Sequence, residues 1–190
     1  MRLFLALGNP GQRYELSRHN YGWLAADYLE DRLTTVGREE TASYSLVRAR
    51  HAGDELLICR ALTMMNRSGI AAANLMRAHA AEAERMVVLH DDLDIPLGGI
   101  RLKAGGGDGG HKGLISVIRE LGRADFLRLR LGIGTDPRPA DPVAYVLGHF
   151  TDDELQEVER VLPVAAEAAL QLLRGEPEQV MNWLNRKAGP

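Results

Sequence analysis

A histidine and two neighbouring carboxylates of this sequence have the types needed for acid–base chemistry near neutral pH. His19 lies just before a predicted helix, and Asp91 and Asp92, either of which can orient a histidine, follow an apolar run that predicts a buried strand. An imidazole is the side chain best suited to take a proton near neutral pH, and a carboxylate orients it by accepting its ring N–H. The alternatives are that His19 is a surface or capping residue and that Asp91 and Asp92 only end the strand.

The sequence offers little for covalent or metal chemistry. It has no Gly-x-Ser-x-Gly elbow, and its one cysteine, Cys59, lies in an apolar run and is interpreted as a buried small hydrophobe. A metal site is an alternative for the group His90, Asp91, Asp92 and Asp94, but the chain lacks a second tight cluster of ligand spacing. If the protein hydrolyses a substrate, we therefore expect activated water and no metal.

A glycine-rich segment, residues 105–113, precedes another predicted helix. A loop of this kind can bind phosphate at a helix N-terminus, or it serves only as a hinge or a closely packed backbone. It lacks the Gly-Lys-Ser/Thr ending of a Walker loop, and it lies late in the chain for a dinucleotide-binding unit. The sequence alone leaves phosphate or RNA-backbone contact and the structural role equally open.

The charge is distributed unevenly along the chain. The net charge is −3, but residues 98–132 contain seven basic and three acidic side chains, a local charge of +4, whereas residues 151–190 contain eight acids and four bases, a charge of −4. A basic window can steer a phosphate backbone because the local field matters more than the total charge. A solvated charged surface explains the same numbers, and charge alone favours that second interpretation.

The elements that must position these residues alternate between strands and helices. Apolar runs and alternation predict strands at residues 2–7, 44–50, 55–61, 85–90, 99–103 and 126–133. Helical spacing predicts helices at residues 20–32, 66–79 and 114–121, and two after a Thr151–Glu154 capping box, split near Gly175 and Pro177. We predict one α/β domain over residues 1–190, with a mixed, largely parallel sheet flanked by helices and a helical C-terminal segment at 150–190. The loops after residues 7, 88 and 103 should then meet at one edge of the sheet.

The composition bounds where the protein acts. The apolar run at the N-terminus is too short for a signal peptide, and no stretch is long enough to cross a bilayer, so we expect no membrane partner. A single cysteine excludes an intramolecular disulfide, which fits a reducing cytoplasm.

Five segments, taken together, resemble the bacterial peptidyl-tRNA hydrolase family, in order and across nearly the whole chain. They are the Gly8-Asn9-Pro10-Gly11 turn with Tyr14 and residues 17–22, then residues 65–69, 90–96, 105–113 and 128–134. Position 17 is usually threonine in the family, and Ser17 keeps the hydroxyl group. No one motif is specific, but five in register are.

The resemblance implies an enzyme that hydrolyses the ester bond between peptide and tRNA in peptidyl-tRNA released prematurely from ribosomes, without metal or organic cofactor. It implies that His19 is the general base that activates water, and that Asp91 orients its ring. It also implies a monomer that binds the acceptor end and phosphate backbone of peptidyl-tRNA. The residues implied for substrate and tRNA contact are Asn9, Tyr14, Met65, Asn66, Lys112, Arg101, Lys103 and one of Arg128 or Arg130.

Lys112 departs from the family pattern, which usually has asparagine after the histidine of the glycine-rich segment. Lysine cannot accept a hydrogen bond, and it adds a charge that can bind phosphate or disfavour a protonated His19. This difference motivates an alternative function, a catalytically weak RNA-binding relative of the family. A hydrolase of small esters or peptides that does not use RNA is a third hypothesis, and the basic window argues against it.

Overall fold

The apolar runs near residues 2–7 and 85–90 form two adjacent strands of a seven-stranded sheet. The computed structural model describes residues 1–79 and 82–187. The strand order is β2-β3-β4-β1-β5-β7-β6. The strands are β1 (Arg2–Ala6), β2 (Thr34–Glu40), β3 (Tyr44–His51), β4 (Asp54–Ala61), β5 (Met86–Pro96), β6 (Ile100–Ala104) and β7 (Leu127–Gly134). The four strands β4, β1, β5 and β7 are parallel, and β2, β3 and β6 are antiparallel to their neighbours.

Helices cover both faces of this sheet. They are α1 (Tyr21–Glu30), α2 (Ser68–His79), α3 (Lys112–Leu121), α4 (Pro142–Leu147), α5 (Asp152–Arg174) and α6 (Pro177–Lys187). Alternate residues along each strand point to opposite faces, so β1 contributes Phe4 to one apolar cluster and Leu5 to the other. The first cluster includes residues of α1, α5 and α6, and the second includes residues of α2 and α3. In the described part of the chain, no helix is long and apolar enough to cross a membrane.

The fold class predicted from the sequence is confirmed, with differences at three elements and in the loops. All six predicted strands and all five predicted helices are present, and most agree to within a few residues. Strand β5 continues to Pro96, six residues past its predicted end at residue 90, so the loop expected after residue 88 lies inside the strand. The edge strand β2 and the six-residue helix α4 were not predicted. The loop after residue 103 was placed at the wrong edge: β6 runs antiparallel to β7, so its carboxyl end lies beside the start of β7, where Ala104 pairs with Leu127.

The close approach of α1 to the sheet determines where the segment before it lies. A side chain at Gly22 would put its Cβ 2.4 Å from the carbonyl oxygen of Leu89 and 2.8 Å from that of Leu7. These two carbonyls lie where the pairing of the adjacent parallel strands β1 and β5 ends, although β5 itself continues to Pro96. The short 3-10 turn Arg18–Asn20, immediately before α1, is therefore held over the point where β1 ends beside β5.

Replacing Gly22 with alanine tests this packing constraint. Because the added methyl group would overlap backbone oxygen atoms that cannot move independently, we expect Gly22→Ala to lower the free energy of unfolding by about 2–3 kcal/mol. Gly37→Ala is the matched control, since the nearest atom to its added Cβ is 4.0 Å away. Urea unfolding of both variants measures the difference, and equal stabilities would contradict the proposed close packing.

Candidate active site

The carboxylate of Asp91 is the centre of a buried polar cluster in the middle of β5, just beyond the point where its pairing with β1 ends. Both of its oxygens lie 2.9 Å from Nδ1 of His19, and Oδ1 also lies 3.0 Å from Nε2 of His111. Asp91 is 2% exposed and His19 is 6% exposed. The predicted pair of His19 and Asp91 is therefore in contact, and a second histidine joins it.

The hydrogen bonds of His111 determine which of its ring nitrogens carries a proton. Its Nδ1 accepts the backbone N–H groups of Gly113 and Leu114, at 3.1 and 3.3 Å, and so caps the N-terminus of α3. A nitrogen that accepts is unprotonated, so the ring proton is on Nε2, which donates to Asp91. His111 is therefore a neutral donor to the carboxylate, and its other nitrogen is not available as a base.

The same reasoning assigns the free nitrogen of His19. Nδ1 donates to the carboxylate of Asp91, which leaves Nε2 unprotonated in the neutral ring. His19 also contributes to the wall of a cavity of 290 Å³ beside the cluster. In this geometry the lone pair of the neutral His19 ring is on Nε2, the nitrogen that is not bound to Asp91.

The electrostatics of the cluster keep Asp91 charged. Burial opposes its ionisation, but His19 and His111 outweigh this effect and hold the pKa of the Asp91 carboxyl well below its usual range. His90, the preceding residue, is also buried, and its Nδ1 donates to the carbonyl oxygen of Asp91 at 2.7 Å. Burial lowers the pKa of His90, so it stays neutral.

Asn9 is held beside this cluster by three hydrogen bonds. Its backbone N–H donates to Oδ1 of Asn20 at 2.8 Å, and its carbonyl accepts from Nδ2 of Asn20 at 3.0 Å. Its own Oδ1 accepts the backbone N–H of Met65 at 2.7 Å. Because the amide oxygen is used in this way, the Asn9 side chain presents its NH₂ group as the remaining donor.

The cavity brings most of the predicted substrate contacts together. It is lined by Asn9, Tyr14, Met65, Asn66 and Lys112 as well as by the cluster. Asn66 lies in the 3-10 turn Met65–Arg67 before α2 and is exposed. Among the described residues that line the cavity, Lys112 is the only lysine or arginine, and it is exposed at the first turn of α3.

One wall of the cavity was not predicted from the sequence. The apolar side of the cavity is formed by the short helix α4 together with Leu93. The α4 residues that line it are Pro142, Val143, Val146 and Leu147. Val143 is 49% exposed and Leu147 is 37% exposed, which is high for side chains of this size. The site therefore combines a buried ionic cluster with an accessible apolar wall.

The predicted basic residues divide into an accessible group and a buried one. Arg101 and Lys103 of the edge strand β6 are exposed, and they pair in register with Arg130 and Arg128 of β7. All four side chains therefore lie on the face of the sheet that α3 also covers. Nε of Arg130 donates to Oδ2 of Asp92 at 2.7 Å and leaves the side chain 22% exposed.

Arg128 does not belong to the accessible group. It is 2% exposed, and its guanidinium donates to the carbonyl oxygens of Gly106, Gly107 and Ala124. These contacts hold the glycine-rich segment, so both Nη groups of the buried Arg128 are engaged with the backbone. The glycine-rich segment thereby runs from the end of the edge strand β6 back to His111.

The contacts of the glycine-rich segment favour the structural role over phosphate binding. The carboxylate of Asp108 accepts the N–H of Gly110 at 2.8 Å, and its carbonyl accepts the N–H of His111 at 3.0 Å. These two backbone donors are therefore engaged within the segment. A carboxylate at its centre also repels a phosphate.

Three side chains of the metal site considered from the sequence are engaged with other partners. Asp92 pairs with Arg130, Asp94 pairs with Arg138, and Nδ1 of His90 is bound to a backbone carbonyl. A different group, His19, Asp91 and His111, has its potential ligand atoms within 4.8 Å of one another. Both imidazoles of that group donate protons to Asp91, so the donor set fits hydrogen bonding better than metal coordination.

Comparisons with known proteins place this arrangement in a family. The family model described as peptidyl-tRNA hydrolase matches residues 3–189. The chain belongs to the peptidyl-tRNA hydrolase family. The family's member from Aquifex aeolicus (strain VF5) is 38% identical over 187 residues, which cover 98% of this chain and 97% of that protein.

Other members of the peptidyl-tRNA hydrolase family agree in sequence and in fold. The relative from Nocardia farcinica (strain IFM 10152) is 41% identical over 184 residues and covers 96% of this chain and 95% of its own. The crystal structure of peptidyl-tRNA hydrolase from Acinetobacter baumannii matches with a TM-score of 0.88 and 31% identity, over 97% of this chain and 94% of that one. The resemblance inferred from the sequence motifs is thus confirmed.

Two residues of the site were given no role from the sequence, although both lie inside segments that resemble the family. His111 belongs to the glycine-rich segment, and its position just before a predicted helix was the only sequence signal that it caps α3. Asn20 was quoted after His19, and nothing in the sequence indicated its paired hydrogen bonds to Asn9. Both contacts join segments that are distant in the chain, which spacing alone does not reveal.

The burial of His90 predicts how stability depends on pH. Its pKa is lowered from 6.5 in the folded protein, so below pH 6.5 the unfolded chain takes up a proton that the folded protein does not. This contribution to stability is fully present above pH 6.5 and is lost as the pH falls. We expect the free energy of unfolding to decrease below pH 6.5 by up to about 1.4 kcal/mol per pH unit from this group.

A His90→Phe variant isolates that contribution. Phenylalanine cannot take up a proton, so the variant should show a shallower dependence on pH in urea unfolding than the unmodified protein. The slope is the readout, because the variant also loses the hydrogen bond to the carbonyl of Asp91 and so some absolute stability. Identical slopes would contradict the assignment.

Proposed function

We propose that this protein hydrolyses the ester bond between peptide and tRNA in peptidyl-tRNA released prematurely from ribosomes, and so recycles the tRNA. The observation that carries this proposal is the contact of Nδ1 of His19 with both oxygens of Asp91 at 2.9 Å, beside an open cavity, in a member of the peptidyl-tRNA hydrolase family. We also propose that it acts in the cytoplasm as a monomer, with no metal or organic cofactor.

The proposed reaction uses His19 first as a base and then as an acid. Nε2 takes a proton from a water molecule, and the resulting hydroxide attacks the ester carbonyl carbon. Asp91 stabilises the imidazolium that forms and keeps the ring in the required tautomer. The tetrahedral intermediate collapses as the imidazolium returns its proton to the ribose oxygen, which leaves as a tRNA hydroxyl while the peptide leaves with a free carboxyl group.

His111 supports this reaction without taking part in proton transfer. Its Nε2–H donates to Oδ1 of Asp91, and its Nδ1 is engaged by the first turn of α3. The carboxylate is therefore held from two sides, which limits its rotation and keeps it aligned with His19. Precise alignment is valuable because a misplacement of about 1 Å can cost about a hundredfold in rate.

Asn9 is the proposed donor to the carbonyl oxygen of the ester. Its amide oxygen is bound to Met65 N–H, so its NH₂ group remains to stabilise negative charge that develops on the substrate. Asn66 and Tyr14, which line the same cavity, are the proposed contacts to the peptide and the 3′ end of the tRNA. Lys112 adds a charge at the cavity that is suited to a phosphate of the 3′-terminal nucleotides.

The catalytic proposal is tested most directly by His19→Asn. The asparagine NH₂ group occupies the position of Nδ1 and still donates to Asp91, but the variant has no base. We expect the single-turnover rate on an N-acetyl-aminoacyl-tRNA to fall by about 10²–10⁴-fold with little change in melting temperature. EDTA in all reactions tests metal independence, since turnover by the unmodified protein should persist.

The matched control is His51→Asn, because His51 ends β3 at the opposite edge of the sheet. It should cleave at the unmodified rate. Rapid cleavage by His19→Asn would eliminate the proposed mechanism. Binding of tRNA without cleavage by the unmodified protein, with cleavage restored by Lys112→Asn, would instead support the RNA-binding alternative, which no feature of the site currently favours.

The exposed basic residues of β6 are the proposed contacts to the tRNA backbone, together with Arg130. Arg101 and Lys103 lie on the same face of the sheet as the start of α3, and neither has an acidic partner among the residues that the structure describes. Phosphate contacts of this kind supply affinity and orientation and are weakened by salt.

Salt titrations of tRNA binding test these contacts. We expect Arg101→Ala and Lys103→Ala each to weaken binding and to reduce the slope of log K against log salt by about one unit. The rate at saturating substrate should change little, because neither residue lines the cavity. Arg50→Ala is the control, since Arg50 is exposed on β3 and already paired with Glu55. If the slopes for Arg101→Ala and Lys103→Ala are as unchanged as that of the Arg50→Ala control, the tRNA binds elsewhere.

A further inference from the structure

Arg18, the residue before the proposed base, is buried although it is charged. It is 8% exposed. Nε and Nη2 donate to the two carboxylate oxygens of Glu154 at 3.1 and 2.6 Å, and Nη1 donates to the carbonyl oxygen of Tyr145 at 3.2 Å. The guanidinium also stacks over the Tyr145 ring at 4.3 Å. One side chain thus contacts both α4 and the first turn of α5.

The backbone on either side of Arg18 is bound to the same region. The N–H of Arg18 donates to the carbonyl of Gly148 at 3.0 Å, and the N–H of Phe150 donates to the carbonyl of Leu16 at 2.9 Å. Ser17 and His149 form a β-bridge between these two bonds. The segment that leads into His19 therefore lies directly along the segment that joins α4 to α5.

Tyr145 joins helix α4 to two other parts of the chain. The hydroxyl of Tyr145 donates to the carbonyl of Ile133, near the end of β7, at 2.8 Å, while its carbonyl accepts from Arg18. Val143, Val146 and Leu147 of the same helix form the apolar wall of the cavity. Arg18 and Tyr145 therefore join that wall to the segment that leads into His19, in addition to the backbone hydrogen bonds between the two segments.

Stability alone does not explain this contact. Burying an arginine and a glutamate removes hydration from both, so such a pair adds little net stability compared with apolar residues of similar size. Glu154 also has other hydrogen bonds, since it accepts the N–H of Thr151 at 2.7 Å within the capping box of α5. The planar guanidinium makes three directed hydrogen bonds together, and a lysine cannot reproduce that geometry.

We propose that Arg18 is a positioning residue that holds the apolar wall of α4 at a fixed distance from His19. A peptide side chain that rests on this wall then places the ester carbonyl within reach of the water that His19 activates. The inference rests on the proposed hydrolysis, and it assigns to Arg18 the coupling between the side chain of the esterified amino acid and the catalytic rate.

The test compares Arg18→Lys with Arg60→Lys. Arg60 is a matched control because it is bound to two carboxylates, those of Asp27 and Glu30, and its side chain is 13% exposed against 10% for Arg18. It does not line the cavity. We expect both variants to lose similar thermal stability, but only Arg18→Lys to lose turnover, by about tenfold to a hundredfold in kcat with KM almost unchanged.

Two substrates separate positioning from general damage. N-acetyl-leucyl-tRNA has a side chain that can contact the wall, and N-acetyl-glycyl-tRNA has none. We expect the loss of kcat in Arg18→Lys to be several-fold larger for the leucyl substrate, because only that substrate uses the wall. Glu154→Gln, which removes the charge that Arg18 binds, should give the same pattern with a smaller loss and serves if Arg18→Lys does not fold.

Three results would overturn the inference. They are a loss of stability without a loss of kcat, an increase in KM alone, or an equal loss of kcat on both substrates. Failure of the underlying function would look different, because the unmodified protein would then cleave neither substrate, and the inference would fall with it.

Discussion

A single buried carboxylate imposes most of the geometry of this site. Asp91 is 2% exposed and ionised, and a buried charge is tolerated only when it is paired and hydrogen-bonded. Its donors come from two distant parts of the chain, His19 before α1 and His111 at the start of α3. If either segment moved away, the carboxylate would lose a donor. The requirement to satisfy Asp91 therefore holds the proposed base, the start of α3 and the middle of β5 in one place.

The scaffold meets that requirement with close packing on one side and a buried arginine on the other. Gly22 lets α1 approach the carbonyl groups of Leu7 and Leu89, where the pairing of β1 and β5 ends, which brings the turn containing His19 over Asp91. Arg128 binds three carbonyls in and beside the glycine-rich segment, which brings His111 back from the far edge of the sheet. Arg128 was considered from the sequence as a phosphate contact, and its burial shows that a basic residue in a basic window can have a purely internal role.

Local sequence patterns predicted most of the strands and helices. Contacts between residues that are distant in the chain could not be predicted in this way. The central strands were predicted because both of their faces are buried, which gives continuous apolar runs such as residues 86–89. Strand β2 was missed because it is an exposed edge strand with a bulge, so it lacks alternation. Helix α4 was missed because it has only six residues, although Asp141 and Pro142 form a typical helix start. The pairing of His19 with Asp91 was suggested by chemistry and family resemblance, whereas the second donor, His111, required the topology that turns the glycine-rich segment back.

The separation of charge along the chain becomes a separation in space. The acidic C-terminal segment forms α5 and α6, which pack on one face of the sheet, whereas Arg101 and Lys103 lie on the other face with α3. Near the cavity, Asp92 and Asp94 would repel a nucleic acid, but each is paired with an arginine, Arg130 and Arg138. A net charge of −3 therefore does not describe the field that an incoming phosphate backbone meets. Arg101 and Lys103 are exposed on the face that α3 covers, and Lys112 is exposed at the cavity, so a mildly acidic protein still presents positive charge on one face.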